Sequence, residues 1–311
     1  MSKKIALVGI GKIARDQHIP SLAASAAFEL AATASRHGTV EGIDAYPDLA
    51  SLLAERPDIP CISLCTPPHV RYDDARRALE AGRHVMLEKP PGATLSEVHD
   101  LAALAEAKGL TLFATWHSRH APAVSAARDW LANQTIRRLE IRWKEDVRHW
   151  HPGQDWIWEP GGLGVFDPGI NALSILTAIY PHPLHLTRAD LRFPENRDTP
   201  VAADLTFADG RGTDLRAAFD WLKEGSPEWD MHIDTDAGYA LLSEGGARLS
   251  INGVETSAHA GPELEGEYPA LYARFADLLA AGASDVDLSP MRHVADAFTL
   301  GRRTTGAAFN W

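Results

Sequence analysis

The sequence predicts a two-part fold: an α/β half built on a doubly wound parallel sheet, then an α+β half built on an open, mainly antiparallel sheet with helices on one face. Three observations predict it. Short apolar runs alternate with helix-like stretches from Ile5 to Thr115, the pattern of a parallel sheet with crossover helices. The first run ends in the glycine turn Gly9-Ile10-Gly11-Lys12-Ile13-Ala14. After Ala132 the pattern changes to long runs of alternating apolar and polar residues, which is how half-buried strands read.

In order, Ile5 to Val8 reads as a strand and Phe28 to Ser35 as the second. Asp48 to Glu55 reads as a helix, Cys61 to Cys65 as a strand, and Val70 to Ala81 as a helix stopped by Gly82. His84 to Leu87 is a strand, Leu95 to Ala107 a helix and Leu110 to Thr115 a strand. Ligands of such sheets bind at the carboxyl ends of the strands. That rule gathers Gly9, Thr66-Pro67-Pro68, Glu88-Lys89-Pro90 and Thr115-Trp116-His117 along one edge. A helix over Val124 to Ala132 opens the second half. Strands follow over Leu139 to Trp143, Leu186 to Phe193, Ala202 to Phe207, Leu215 to Trp221, Trp229 to Thr235, Tyr239 to Ser243 and Ala247 to Ile251. Helices over Ala270 to Ala281 and Pro290 to Thr304 close the chain. The expected domains are 1–121 and 122–311, divided near Ala121-Pro122.

Bulk composition narrows the function. The chain has 311 residues, 45% hydrophobic and 23% charged, enough for two cores. A formal net charge of −12 argues against a nucleic-acid partner gripped over a broad phosphate surface. No apolar stretch is long enough to span a membrane, and no signal-peptide pattern opens the sequence, so a cytoplasmic location is expected. Cys61 and Cys65 lie four apart on one strand, roughly 13 Å, too far for a disulfide. No metal is expected, since neither HExxH nor paired-cysteine spacing occurs.

Gly9, Gly11 and Ala14 fit G-x-G-x-x-A between strand and helix. Gly9 permits the tight turn, Gly11 lets the backbone approach a pyrophosphate, and a small residue at 14 lets helix and strand pack. The helix N-terminus then faces the phosphates, which makes Lys12 and Ile13 cofactor contacts. The second strand ends in Ser35-Arg36-His37 rather than in an acidic residue that would hold a ribose 2′-hydroxyl and repel a 2′-phosphate. Arg36 can pair with that phosphate. Both NADP and NAD are therefore expected, NADP at least as good. Lys89, set between Glu88 and two prolines at a strand end, is aimed into the cleft.

Asp167 and Asn171 lie four apart, one helical turn, on the same side of a helix expected over Pro168 to Ile179. Asp167 before Pro168 reads strongly as an N-cap, and this does not exclude a role as general base, since one carboxylate oxygen can serve each. Trp150, His151 and Trp229 belong to an unusual aromatic density that also includes His149, Trp156 and Trp158. Tryptophans commonly fill cores. Among Pro, Gly, Gln and Asp these also suit a sugar, which offers apolar C–H faces and many hydroxyls. His117 and Glu145 are further candidates to accept hydroxyl protons.

These residues together resemble the glucose–fructose oxidoreductase, inositol dehydrogenase and rhizopine-catabolism family of NAD(P)-dependent dehydrogenases, over nearly the whole chain. The motifs are Gly9 through Ala14, Cys65-Thr66-Pro67-Pro68-His69, Glu88-Lys89-Pro90 and Gly161-Gly162 through Asn171. The resemblance implies a Rossmann domain that uses Thr66, Pro67, His69, Glu88 and Lys89 at the cofactor. Within the family, Ala114 through Arg119, Arg142 through Arg148, Trp150 through Gln154 and Phe166 through Leu173 are similar to bacterial aldose 1-dehydrogenases acting on L-arabinose and D-galactose. That likeness implies oxidation of a small aldose at C1 to an aldonolactone, and a homodimer through the second-domain sheet. One departure matters. Position 171 is usually histidine in the broad family and is Asn171 here, which cannot take a proton. The base is then Asp167, with Lys89 as the competitor. An inositol or polyol dehydrogenase and a non-catalytic NADP-dependent sugar sensor are the alternatives.

Overall fold

The computed structural model describes residues 2–258 and 266–311. They form two compact units, the first made of the chain up to His117 plus 266–288, the second of the rest.

The first unit carries strands β1 (Lys3–Val8), β2 (Phe28–Ala34), β3 (Asp44–Tyr46), β4 (Cys61–Leu64), β5 (His84–Leu87) and β6 (Leu112–Ala114). Its helices are α1 (Ile19–Ala23, entered through a π-turn at Ala14–His18), α2 (Leu49–Glu55), α3 (Pro68–Glu80), α4 (Leu95–Ala107) and α8 (Glu267–Ala281). The strand order is β3-β2-β1-β4-β5-β6, all parallel. The order reverses between β1 and β4, which is where such sheets open a ligand crevice. Ile5, Leu7, Cys61, Ile62 and Val85 are fully buried, because helices cover both faces. Local chemistry sets the helix starts. Asp48 caps α2 by accepting the Ser51 N–H, and Thr94 and Glu97 form a reciprocal capping box on α4. Helix α3 begins two residues before the expected Val70, with Pro68 in its first turn.

The unit boundary differs from the expected 121/122. It falls at 117/118, and α8 returns to the first unit. Tyr268, Leu271, Tyr272 and Phe275 of α8 pack with Ile5, Leu7, Phe28 and Phe113 of the first sheet. An amphipathic period says that a helix is buried, not which core buries it.

The second unit carries β7 (Ile136–Lys144), β8 (His185–Pro194), β9 (Ala202–Ala208), β10 (Asp214–Asp220), β11 (Glu228–Thr235), β12 (Gly238–Ser243), β13 (Arg248–Ile251), β14 (Val254–Ala258) and β15 (Arg302–Gly306). They order as β14-β13-β12-β11-β7-β10-β9-β8-β15, antiparallel except for β7/β10 and β8/β15. Leu139, Ile141, Leu215, Ala217, Phe219, Met231 and Ile233 are buried, and the residues between them are not, the period-two signature of a sheet covered on one face. The helices are α5 (Val124–Leu131), α6 (Val147–Trp150), α7 (Phe166–Ile179) and α9 (Ser289–Leu300). Gly169 lets α7 lie on the sheet, since a Cβ there would meet the Phe219 ring at 2.9 Å.

The closing helix expected over Pro290 to Thr304 is corrected. It stops at Leu300, and Arg302–Gly306 turns into a strand pairing with β8. Gly301 makes the break: a Cβ there would strike the Ala297 carbonyl and the Leu191 side chain. The short strands Asp44–Tyr46 and Val254–Ala258 also lie outside the sequence expectations.

Candidate active site

In the first unit, β1 delivers Gly9 at φ +88°, where a Cβ would meet Thr66 at 2.9 Å. Only glycine fits that turn. A Cβ on Gly11 would have nothing within 4 Å, so the backbone there stands open to a ligand. Thr66 Oγ1, at the end of β4, is buried with no hydrogen-bond partner. Ser35 Oγ accepts the backbone N–H groups of Ile10 and His37, both at 3.3 Å, tying the end of β2 to the loop. Arg36, His37 and His69 are exposed, Ile13 and Pro67 half-buried. Lys12 is exposed and paired with Asp16. An open glycine, an orphaned hydroxyl and an exposed arginine at the second strand end fit a nicotinamide dinucleotide. Gly9, Gly11 and Thr66 would line its pyrophosphate, and Ser35 and Arg36 its adenosine ribose.

The end of β5 is held from below. Glu88 is buried, and its Oε2 accepts the Lys89 backbone N–H at 2.6 Å. The Lys89–Pro90 peptide is cis. The buried Arg71 of α3 donates to the carbonyls of Thr66, Glu88 and Pro90. Neither this role of Arg71 nor the pairing of Glu88 with His18 and Tyr268 was visible in the sequence. A partner 180 residues away leaves no local signal. The Glu88 carboxyl sits well below its ordinary range: burial opposes this, but the hydrogen bond and charge of His18 outweigh it. His117 is buried, with Nδ1 2.5 Å from Glu267 Oε2 and its ring stacked on Tyr268 at 5.3 Å.

In the second unit, Gly161-Gly162-Leu163-Gly164 shapes the approach to α7. Gly161 and Gly164 have φ of +93° and +55°, and a Cβ on Gly162 would strike the Trp156 and Ile157 carbonyls at 2.5 Å. The helix starts at Phe166, with Val165 at the cap. The expected cap role of Asp167 is thereby corrected: its side chain lies within the first turn, and the turn is closed by backbone bonds from Phe166 and Asp167 to Leu163 and Gly164. Asp167 is buried, and its Oδ2 is 3.3 Å from His151 Nε2. His151 sets its ring edge against Trp221, centroids 5.4 Å apart. Glu145 is buried between two indoles, with Oε1 accepting from Trp221 at 3.2 Å and Oε2 from Trp229 at 2.8 Å. Trp229 in turn packs on Trp150 at 5.3 Å and Trp143 at 6.0 Å. Glu145, Trp150, His151, Asp167 and Trp229 thus form one connected group. Asn171, half-buried, follows Asp167 by one turn. Trp221, the link between Glu145 and His151, was read only as a strand end. Lys89 and His117 belong to the first unit.

Among the described residues, Glu228, Asp230 and His232 of β11 bring potential ligand atoms within 4.8 Å of one another. Arg142 lies 3.6 Å from the Glu228 carboxylate.

A family model described as "Oxidoreductase family, NAD-binding Rossmann fold" matches residues 3–115. A galactose 1-dehydrogenase from Pseudomonas fluorescens is 44% identical over 306 residues, covering 98% of both chains. The chain belongs to the GFO_IDH_MocA oxidoreductase family. It is an enzyme of that family, with a Rossmann unit followed by a mixed-sheet unit. The crystal structure of a D-galactose-1-dehydrogenase from Rhizobium etli superposes with a TM-score of 0.95 at 58% identity, covering 100% of this chain and 99% of that one. A 3-ketoreductase from Actinomadura kijaniata, solved with NADP and TDP-benzene, shares the fold at 20% identity, with a TM-score of 0.82 and coverage of 98% and 100%.

Proposed function

We propose that this enzyme oxidises C1 of a cyclic aldose, D-galactose or L-arabinose, to the aldonolactone, using NADP at least as well as NAD. The observation that carries the reading is the buried Asp167 carboxylate, held by His151 and one helical turn from Asn171. Its companions are the indoles of Trp150 and Trp229, which suit the apolar face of a sugar. Relatives named for galactose oxidation, similar along the whole chain, support the substrate class.

A nicotinamide nucleotide, when bound, supplies the acceptor for the C1 hydride. Asp167 takes the proton of the C1 hydroxyl as the C–H electron pair leaves, so C1 becomes the lactone carbonyl. Asn171 donates through its side-chain amide to the reacting oxygen, and Lys89 stabilises the negative charge developing on it. His151 orients the Asp167 carboxylate. The hemiacetal hydroxyl is more acidic than a simple alcohol, so one carboxylate suffices as base. D-Galactose and L-arabinose share their ring-hydroxyl configuration and differ at the C5 substituent, so one pocket gripping those hydroxyls accepts both. The proposed location is the cytoplasm, and no helix among the described residues is long and apolar enough to cross a membrane. The proposed assembly is a homodimer through the nine-stranded sheet.

A sugar panel followed by the absorbance of reduced cofactor tests the reading. Turnover with D-galactose and L-arabinose, and much weaker turnover with the C4 epimer D-glucose, is expected. Turnover with myo-inositol and with neither aldose would replace it with a polyol dehydrogenase, and no turnover with any sugar despite cofactor binding would favour a sensor.

A further inference from the structure

The proposed reaction leaves unused a dense group of buried polar side chains in the first unit. His18 is fully buried. Its Nδ1 lies 2.7 Å from the Tyr272 hydroxyl and its Nε2 3.2 Å from Glu88 Oε1. Tyr268 donates its hydroxyl to the same oxygen at 2.8 Å. The second Glu88 oxygen takes the Lys89 N–H. Both carboxylate oxygens are therefore engaged inside the protein.

What Glu88 does is fix a peptide. The Lys89 N–H is anchored from one side by Glu88, and the carbonyls of residues 88 and 90 from the other by Arg71. A lysine side chain has four rotatable carbons, so a defined ammonium position depends on a defined main chain. A carboxylate in this core would be costly alone and is tolerated because a partner and further hydrogen bonds satisfy it.

We propose that His18 and Tyr268 are positioning residues for the reaction: they hold the Glu88 carboxylate in the orientation whose Oε2 anchors the Lys89 main chain. The inference rests on the role of Lys89 given above. It assigns the histidine of the glycine-loop helix and the first tyrosine of α8 to a common task, although neither touches a reactant. The groups facing His18 are Cys65, Tyr272, Tyr268 and Glu88, and His117, paired with Glu267, stacks on Tyr268. Burial lowers the proton affinity of His18, but the electrostatic effect of Cys65 and Tyr272 and the hydrogen bonds with Cys65 and Glu88 outweigh it and raise it well above the ordinary value. A protonated His18 would donate from both nitrogens, to the Tyr272 hydroxyl and to Glu88 Oε1.

The test is a double-mutant cycle on the full chain. His18→Gln keeps a donor and an acceptor but no charge, His18→Ala keeps neither, and each is made alone and with Lys89→Ala. Melting temperature and cofactor affinity, read by tryptophan fluorescence, check the fold. With D-galactose and NADP, His18→Ala is expected to lose about 10- to 100-fold in kcat, with KM for NADP changed less than about twofold. His18→Gln should recover most of that loss at neutral pH and alter the alkaline limb of kcat. In the Lys89→Ala background, the His18 substitutions should cost little more. Losses that multiply in that background, while Lys89→Ala is itself impaired, overturn the positioning role alone. Wild-type kcat in Lys89→Ala removes Lys89 from the reaction, and the positioning proposal with it. Tyr268→Phe is the second variant should His18→Ala fail to fold, and wild-type kcat in a folded Tyr268→Phe enzyme overturns the role of Tyr268.

Discussion

Replacing Asp167 by Asn separates a catalytic carboxylate from a structural one, because the two roles differ in scale. The side chain is buried, and its Oδ2 lies 3.3 Å from His151 Nε2. Asparagine keeps the shape and a carbonyl oxygen for that contact but loses the charge. The structural loss is the difference between a charge-assisted and a neutral hydrogen bond, about 1–1.5 kcal/mol, plus about 0.3–1 kcal/mol for a negative charge in the first turn of α7. A sum of about 1.3–2.5 kcal/mol is well within the stability of an ordinary domain. The variant should therefore fold and melt only several degrees lower. A missing general base costs about 100- to 10,000-fold in rate, or about 2.7–5.4 kcal/mol at 1.36 per decade, and the structural loss does not account for it. The assay is kcat at saturating D-galactose and NADP, against pH, beside a thermal melt. A folded Asp167→Asn enzyme within tenfold of wild-type kcat, with an unchanged acidic limb, would refute the reasoning and move the base to Lys89.

Three further outcomes are expected. Arg36→Ala should raise KM for NADP by about 10- to 100-fold, the loss of one charge-assisted contact to a phosphate, with KM for NAD little changed; equal losses with both cofactors would show that Arg36 does not read the 2′-phosphate. Glu145→Gln sets an amide NH2 against an indole N–H in the buried Trp221–Glu145–Trp229 bridge, so the melting temperature should drop and KM for the sugar rise; neither change would mean that Glu145 leaves the indoles unaffected. Stability should peak in a pH window set by the buried pair. His18 titrates above its ordinary 6.5 when folded, so its contribution is complete below about 6.5 and is lost as pH rises through the raised value. Glu88 titrates below its ordinary 4.5, so its contribution is complete above about 4.5 and is lost as pH falls through the lowered value. Melting temperature against pH should show both losses in the wild type, and the alkaline one should vanish in His18→Gln.

What the sequence revealed follows the range of its signals. Strand–helix alternation is local, so His84–Leu87 and Leu95–Ala107 match their expected limits, and Gly9 and Gly11 sit where the turn requires. Non-local facts were hidden. Arg302–Gly306 carries no apolar alternation, and only its pairing with β8 makes it a strand. Helix α8 is amphipathic in either unit, and only its packing on Phe28 and Phe113 places it in the first. The Asp-Pro pair read as a cap, yet the helix begins at Phe166 because the glycines at 161, 162 and 164 already turn the chain. In the site, Asp167, His151, Glu145 and Trp229 were legible as chemistry-bearing types, and the structure joins them through Trp221. Glu88 was read as a cofactor contact from its place beside Lys89, and its pairing with His18 and Tyr268 left no local signal.

The central claim is that hydride leaves C1 of an aldose. D-Galactose carrying deuterium at C1, turned over with NADP, tests it most directly. Mass spectrometry of the reduced cofactor should find the deuterium there, with a slowed kcat/KM if hydride transfer limits the rate, and the sugar product should have lost it as the lactone. Unlabelled reduced cofactor, with the deuterium still on the sugar product, would contradict the account and place oxidation at another carbon.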